Sequence, residues 1–188
     1  VDTSKDRLII LDRDGVINVD SDRFIKHPDE WKPIPGSLEG IALLNQAGYR
    51  VVVATNQSGV GRGLFDMVTL NAIHEKMMDA LVRVGGRIEA VFFCPHAANA
   101  GCECRKPAIG MFVEISQRYS IPLSRVPCIG DSLRDLEAAL TAGAQPILVL
   151  TGKGERTHAA GGLPAGTRVF ADLQEAARAI VADAEVAE

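Results

Sequence analysis

Five short apolar runs, rich in β-branched residues, punctuate the chain at residues 8–11, 51–54, 90–93, 126–129 and 146–150, and none alternates apolar with polar as a half-exposed strand would. Continuous apolar runs of this length predict strands covered on both faces, as in a parallel sheet. Between the runs the apolar positions change to helical spacing. Leu38, Ile41 and Leu44 lead to Gly48, Leu70, Ile73, Met77 and Leu81 follow the capping residue Asp66, and Leu133, Leu136 and Leu140 lead to Gly143. Met111, Phe112, Ile115 and Tyr119 predict another helix, and Leu173, Ala177 and Ile180 behind Asp172 a last one. The methionines in these stripes read as core. Strands alternating with amphipathic helices predict an α/β fold, a doubly wound parallel sheet with helices on both faces. Residues 18–35 and 151–166 follow neither period. The first stretch is placed to cover the carboxyl end of the first strand, and the second, rich in glycine, reads as a surface loop.

Composition narrows the classes without changing this picture. The 188 residues fit one domain spanning 1–188, and 47% hydrophobic with 23% charged residues is ordinary for a globular chain. A formal charge of −4 without basic clusters argues against nucleic acid or an anionic membrane as partner. The polar start, residues 1–7, followed by a short apolar run that ends in aspartate, has the form of neither a signal peptide nor a membrane span, so a cytoplasmic protein is expected.

The chemistry sits at the ends of the runs. Asp12 and Asp14 flank Arg13 just after the first, where residues two apart in a continued strand share a face and Gly15 allows a sharp turn. Alone, such a pair is equally a solvated turn. The second run leads into Thr55-Asn56-Gln57-Ser58-Gly59, the third, after a loop, to Arg105-Lys106-Pro107, and the fourth to Gly130-Asp131-Ser132. Parallel strands deliver their carboxyl ends to one edge of the sheet. The set therefore offers carboxylates for a divalent cation, hydroxyl and backbone donors for phosphate oxygens, and a lysine as a point charge. Ser132 and Asp131 would serve equally well as a helix cap.

Cys94, His96, Cys102 and Cys104 form a Cys-x-His, five-residue, Cys-x-Cys pattern. Three sulfurs and one nitrogen make the closed tetrahedral set of a structural Zn²⁺ site, with no position left open for catalysis. The alternative, a reactive dithiol, needs no histidine. A metal here would pin a loop poor in apolar residues and so aim Arg105 and Lys106. Cys128 lies inside a predicted strand and reads as an apolar filler, while His27, His74 and His158 suit surface or helix-face positions.

With these four strand-end motifs in this order, residues 8–153 resemble the haloacid dehalogenase superfamily of phosphohydrolases. The resemblance implies Mg²⁺ dependence, with Asp12 as nucleophile forming an aspartyl-phosphate, Asp14 protonating the leaving oxygen and then activating water, and Thr55 and Lys106 stabilising the transferred phosphoryl group. It implies Mg²⁺ ligation by Asp12, Asp131 and the backbone carbonyl of Asp14, with Asp135 in support. Lys106 should oppose protonation of Asp12, whereas Asp14, off the metal, should keep its proton. The intervals between motifs leave no room for a cap domain, so the site should be open.

Within the superfamily two families are similar, the heptose 1,7-bisphosphate 7-phosphatases and the histidinol-phosphate phosphatases. Asn18-Val19-Asp20, the Thr55 to Gly59 run, Gly61-Arg62-Gly63 and Thr151-Gly152-Lys153 resemble the first, whereas the compact zinc loop is closer to the second. The heptose resemblance implies a small phosphorylated sugar as substrate. Asp20, Asn56, Gln57, Ser58, Arg105 and Ser132 are then candidates for contacting it, Arg105 through its planar fork. The heptose enzymes often carry an aromatic residue shortly after Asp20; here Arg23 and Phe24 stand there. A monomer is expected. A metal-dependent glycosyltransferase would leave Lys106 and Asp131 without roles, and a non-catalytic zinc module would not need every reactive group in place.

Overall fold

In the computed structural model, which describes residues 7–186, six parallel strands form one sheet in the order β3-β2-β1-β4-β5-β6. In chain order these are β1 (Leu8–Leu11), α1 (Ser37–Gln46), β2 (Arg50–Asn56), α2 (Ser58–Gly61), α3 (Met67–Arg83), β3 (Ala90–Cys94), α4 (Gly110–Tyr119), β4 (Pro127–Gly130), α5 (Leu133–Thr141), β5 (Gln145–Val149), α6 (Gly154–Ala160), β6 (Arg168–Phe170) and α7 (Leu173–Val186). The polar start read from the sequence lies, apart from Arg7, outside the described residues.

The unbroken apolar runs have a simple cause. Alternate side chains of each strand enter two different cores, Ile9, Leu11, Val51 and Val53 packing beneath α1, α3 and α7, and Leu8, Ile10, Val52 and Ala54 beneath α4 and α5. Met77 and Met111 are buried in these cores. The expected caps form, with Asp66 accepting from Thr69 N at 2.8 Å and Asp172 from Glu175 N at 2.8 Å.

Two expectations need correction. Residues 151–166 hold α6, and their first turn packs against the strand ends instead of lying loose on the surface; Thr151 Oγ1 donates to Gly15 O at 2.7 Å. β6 carries no apolar run long enough to announce it. The 18–35 stretch is a fixed strap. Ile25 and Trp31 enter the core, a 3-10 turn spans Pro28–Glu30, and Lys76 of α3 donates to Pro28 O at 2.7 Å.

The order of strands puts the reversal of winding between β1 and β4, where open α/β sheets hold their ligands. Asp12 N still pairs with Ile129 O at 2.9 Å, so the chain leaving β1 stays beside β4 into the first site residue. Among the described residues no inserted domain interrupts the sheet, and no helix is long and apolar enough to cross a membrane.

Candidate active site

Asp12, Asp131 and Asp135 converge at the reversal point, each offering a carboxylate oxygen within 4.8 Å of the others. Asp12 follows β1, Asp131 follows β4, and Asp135 is in the first turn of α5. Two glycines make the approach possible. A Cβ on Gly15, whose φ is +82°, or on Gly152 would run into Asp131 Oδ2. Lys153 N donates to that oxygen at 2.8 Å.

Among the described residues, Lys106 is the cation paired with this group. Its ammonium lies 2.7 Å from Asp135 Oδ1 and 3.2 Å from Asp12 Oδ1, and donates to Ala54 O at 2.7 Å. Burial opposes its charge, but Asp12 and Asp135 more than offset that, so its pKa is raised. Asp135 is also buried, yet Lys106 and the hydrogen bonds it receives hold it below the carboxylate range. Its second oxygen accepts from Ser132 N at 3.0 Å and Ser132 Oγ at 2.5 Å. Ser132 is thus the N-cap of α5, the role weighed against substrate contact in its sequence.

Asp12 and Asp131 carry the excess charge. Burial, with repulsion from Asp135 and Asp14, lifts Asp12 to about 6; Lys106 opposes its protonation, as expected, without outweighing burial. Burial, then Asp12 and Asp135, lift Asp131 to about 8. Three buried carboxylates against one ammonium form a donor set short of positive charge, all oxygen, and this fits a hard divalent cation. Asp135 is already engaged by Lys106 and Ser132, which leaves Asp12 and Asp131 as the side chains better placed to hold it.

Asp14 behaves differently from its expectation. Because β1 ends at Leu11, the shared-face geometry of a continued strand does not apply, and the Asp14 carboxylate turns away from the cluster. It accepts from Arg13 Nε (3.1 Å) and Nη2 (2.8 and 3.1 Å), Asn18 Nδ2 (2.9 Å) and Gln57 Nε2 (2.9 Å). Burial would raise its pKa, but the Arg13 charge and these donors lower it. The free site therefore holds Asp14 ionised, not proton-loaded.

Sequence reasoning does not single out Arg13 and His74 as parts of the site. Arg13 is fully buried, and its Nη1 meets His74 Nε2 at 3.1 Å. His74 has no nameable partner from sequence, although its spacing from Leu70 and Met77 places it on the inward side of α3. Burial, then the Arg13 charge, lower His74 to about 4, so its imidazole is neutral in the fold. An unfolded histidine titrates near 6.5, so between pH 6.5 and 4 the unfolded chain binds more protons. His74 thus costs no stability above pH 6.5, and stability falls as pH drops through the window by up to about 1.4 kcal/mol per unit. Compared with His74→Gln, the wild type should lose melting temperature faster between pH 6.5 and 4; parallel profiles would contradict this.

Asn56 and Gln57 line the cleft, and their amides are engaged within the protein. Asn56 exchanges two hydrogen bonds with the Lys106 backbone, at 3.0 and 3.1 Å. Gln57 Nε2 donates to Thr55 Oγ1 and Asp14, each at 2.9 Å, and its Oε1 accepts from Arg13 Nη2 at 3.2 Å. Thr55 and Ser58 are buried at the cleft floor.

Above this floor opens a cleft of about 230 Å³. Arg105 lines it with a buried Nη1 that has no protein partner, a donor suited to a ligand oxygen. Arg62 and Arg134 also line it, as does Lys153, whose ammonium pairs with Asp20 Oδ2 at 3.0 Å on the rim. Lys153 follows β5 in the Thr151-Gly152-Lys153 motif, whose resemblance to the heptose enzymes marks it without giving it a role.

Beside the cleft, Cys94 at the end of β3 meets His96, Cys102 and Cys104. Sγ to Sγ distances are 3.1 Å (Cys94 to Cys104) and 3.6 Å (Cys94 to Cys102), and His96 Nδ1 lies 3.5 Å from Cys94 Sγ and 3.2 Å from Cys104 Sγ. The thiols are not in disulfides. Tetrahedral Zn–S and Zn–N bond lengths give edges of roughly 3.5 to 3.8 Å, which the two distances not involving Cys104 match and the two to Cys104 fall short of; the set of three sulfurs and one nitrogen suits zinc, with Nδ1 as the histidine donor. Cys128 is buried in β4, and His27 and His158 are exposed.

Comparison with known proteins agrees with this geometry. The model of the polynucleotide kinase 3 phosphatase family matches residues 7–132, and the HAD-hydrolase-like family model matches residues 103–176. The D-glycero-beta-D-manno-heptose-1,7-bisphosphate 7-phosphatase of Bordetella bronchiseptica is 58% identical over 178 residues, 95% of this chain and 99% of its own. The enzyme of the same name from Pseudomonas putida is 51% identical over 175 residues, 93% of this chain and 99% of its own. A crystal structure of D,D-heptose 1,7-bisphosphate phosphatase from B. bronchiseptica, complexed with magnesium and phosphate, superposes with a TM-score of 0.93 at 58% identity, covering 94% of this chain and 99% of that one. Four strand-end motifs on a doubly wound sheet and this degree of identity lead to one conclusion: the chain belongs to the haloacid dehalogenase superfamily, in the family of the D-glycero-beta-D-manno-heptose-1,7-bisphosphate 7-phosphatases.

Proposed function

We propose that this protein is a Mg²⁺-dependent phosphatase that removes the C7 phosphate of D-glycero-D-manno-heptose 1,7-bisphosphate, in nucleotide-heptose and lipopolysaccharide core synthesis. The observation that carries the reading is the cation-deficient Asp12 and Asp131 pair at the floor of a cleft walled by Arg105, Arg134 and Lys153. The histidinol-phosphate alternative, suggested by the short zinc loop, gains no support, because the relatives described bear the heptose name.

Asp12, Asp131 and the Asp14 carbonyl would hold Mg²⁺, which when bound neutralises the carboxylates and the phosphate and so permits an anion to approach an anion. Asp12 attacks phosphorus in line, the sugar oxygen leaves, and an aspartyl-phosphate forms. Lys106, Thr55 and Ser58 donate to the equatorial oxygens. Asp14 starts ionised, and takes up a proton as the phosphate dianion arrives and repels its charge. It gives that proton to the leaving oxygen and then accepts one from the water that releases phosphate. Arg105 and Arg134 meet the distal, C1 phosphate, and Asp20, facing the cleft opposite Lys153, meets sugar hydroxyls.

The Cys94, His96, Cys102 and Cys104 set would hold a structural Zn²⁺ that orders the loop leading to Arg105 and Lys106. One zinc per chain is expected by elemental analysis, lost in Cys104→Ser with a lower melting temperature; a wild type free of zinc after purification without chelator would contradict it. Thiolate ligands of this kind suit a reducing compartment, and we place the protein in the cytoplasm as a monomer.

The substrate test is a comparison of kcat/KM on the heptose bisphosphate and on histidinol phosphate, with Mg²⁺ present. The bisphosphate should be preferred by at least ~10²-fold, the discrimination expected when cationic groups built for a second phosphate go unpaired. Preference for histidinol phosphate would overturn the substrate and leave the chemistry standing.

A further inference from the structure

Between Asp12 and Asp14 the chain buries a guanidinium completely, and each of its three nitrogens has a side-chain partner. Arg13 Nε and Nη2 grip the Asp14 carboxylate, Nη2 also reaches Gln57 Oε1, and Nη1 points at His74 Nε2. Arginine can only donate, so Nε2 must present its lone pair and the proton must sit on Nδ1. Gln57 closes the loop by donating to Asp14 and Thr55. The His74 ring leans on Phe93 of β3, with centroids 6.4 Å apart. Neither Arg13 nor His74 lines the cleft, so neither side chain has a route to the substrate except through Asp14 and Gln57.

We infer that Arg13 and His74 are positioning residues for the acid–base carboxylate Asp14, with α3 anchoring, through the His74 to Arg13 contact, the direction in which Asp14 presents its oxygens. This rests on the reading of Asp14 as the group that protonates the leaving oxygen. The planar fork fixes both position and rotation of the carboxylate, which an ammonium could not do. His74 in turn fixes the fork, because without an acceptor at Nη1 the buried guanidinium must turn to find one, and displacing a catalytic group by an ångström is enough to slow a reaction strongly.

The consequence is selective. A sugar leaving group needs the proton from Asp14, whereas p-nitrophenolate leaves without one. Because kcat/KM reports only the steps up to departure of the first product, the later role of Asp14 with water does not enter. On the heptose bisphosphate, His74→Leu should lower kcat/KM roughly tenfold and Arg13→Lys roughly tenfold or more, and His74→Gln, which can accept at the same place, should return it to within about threefold of wild type. On p-nitrophenyl phosphate all three should lie within about threefold of wild type.

The experiment measures both substrates with Mg²⁺ for wild type, Asp14→Asn, His74→Leu, His74→Gln, Arg13→Lys and the Asp14→Asn/His74→Leu double variant, each checked by thermal melting. Selective losses in His74→Leu and Arg13→Lys, rescue by glutamine, and a double variant no slower than Asp14→Asn alone support the inference. If Asp14→Asn is selective but His74→Leu and Arg13→Lys lose equally on both substrates, or if the double variant shows the product of the two losses, positioning is overturned and the Asp14 reading stands. If Asp14→Asn itself loses equally on both, that reading falls and takes the inference with it. Should His74→Leu fail to fold, the selectivity of Arg13→Lys between the two substrates decides the matter in the same way.

Discussion

Asp12→Asn is expected to lower kcat by at least ~10⁴-fold while the protein remains folded, because the substitution removes the nucleophile and little else. Asp12 Oδ1 is the oxygen that accepts from Arg13 N at 2.8 Å and faces Lys106 at 3.2 Å, and an asparagine can keep its carbonyl oxygen there. The new amide group then replaces the other oxygen, in a cluster that already repels itself. Without Mg²⁺ the variant should melt no lower than wild type, since one of three buried carboxylates has lost its charge. The rise in melting temperature on adding Mg²⁺ should shrink, because the cation loses a ligand in the folded state. Turnover, circular dichroism and melting curves with and without Mg²⁺ check all three. Activity within tenfold of wild type would exclude Asp12 as the attacking group.

Lys106→Met should damage stability as well as rate. The ammonium is buried against Asp12 and Asp135, and methionine fills a similar volume without its charge. Removing one partner of a buried ion pair typically costs about 3–5 kcal/mol, since the charge left behind has neither water nor a counterion. For a chain of this size that is a fall in melting temperature of roughly 6–20 °C. Mg²⁺ should restore part of it, by supplying positive charge to the same carboxylates. The rate should fall by ~10³-fold or more even with Mg²⁺ saturating, because a preorganised donor to the phosphoryl oxygens is gone. A variant melting with wild type would mean that Lys106 is not what balances the cluster.

How far the sequence carries the site depends on where each interaction originates. The runs that become β1 to β5 are readable because both faces of each strand enter a core, which forces continuous apolar residues. Asp12, Lys106 and Asp131 are readable for a related reason, since parallel strands must bring their carboxyl ends to one edge. β6 is three residues long and carries no such mark, and α6 is hidden among glycines that signal only turns. The orientation of Asp14 is a different kind of omission. Strand alternation assigns it to the Asp12 face, but β1 ends at Leu11, and four donors from Arg13, Asn18 and Gln57 decide where the carboxylate goes. Nothing in the sequence gives Arg13 a role, and only the packing of α3 against the sheet reveals that His74 awaits it. Asn56 and Ser132 have the residue types of phosphate ligands, and their places as a loop staple and a helix cap come from contacts that form only in the fold.

The central claim is that Asp12 captures the phosphoryl group before water does. Capture followed by release makes two in-line displacements at phosphorus, each inverting it, whereas direct attack by water makes one. The stereochemical course of hydrolysis, followed with a phosphorothioate ester of the substrate made chiral at phosphorus by one oxygen isotope and hydrolysed in water of another so that the thiophosphate released is itself chiral, therefore tests the claim most directly. Net retention of configuration is the expected result. Net inversion would contradict it.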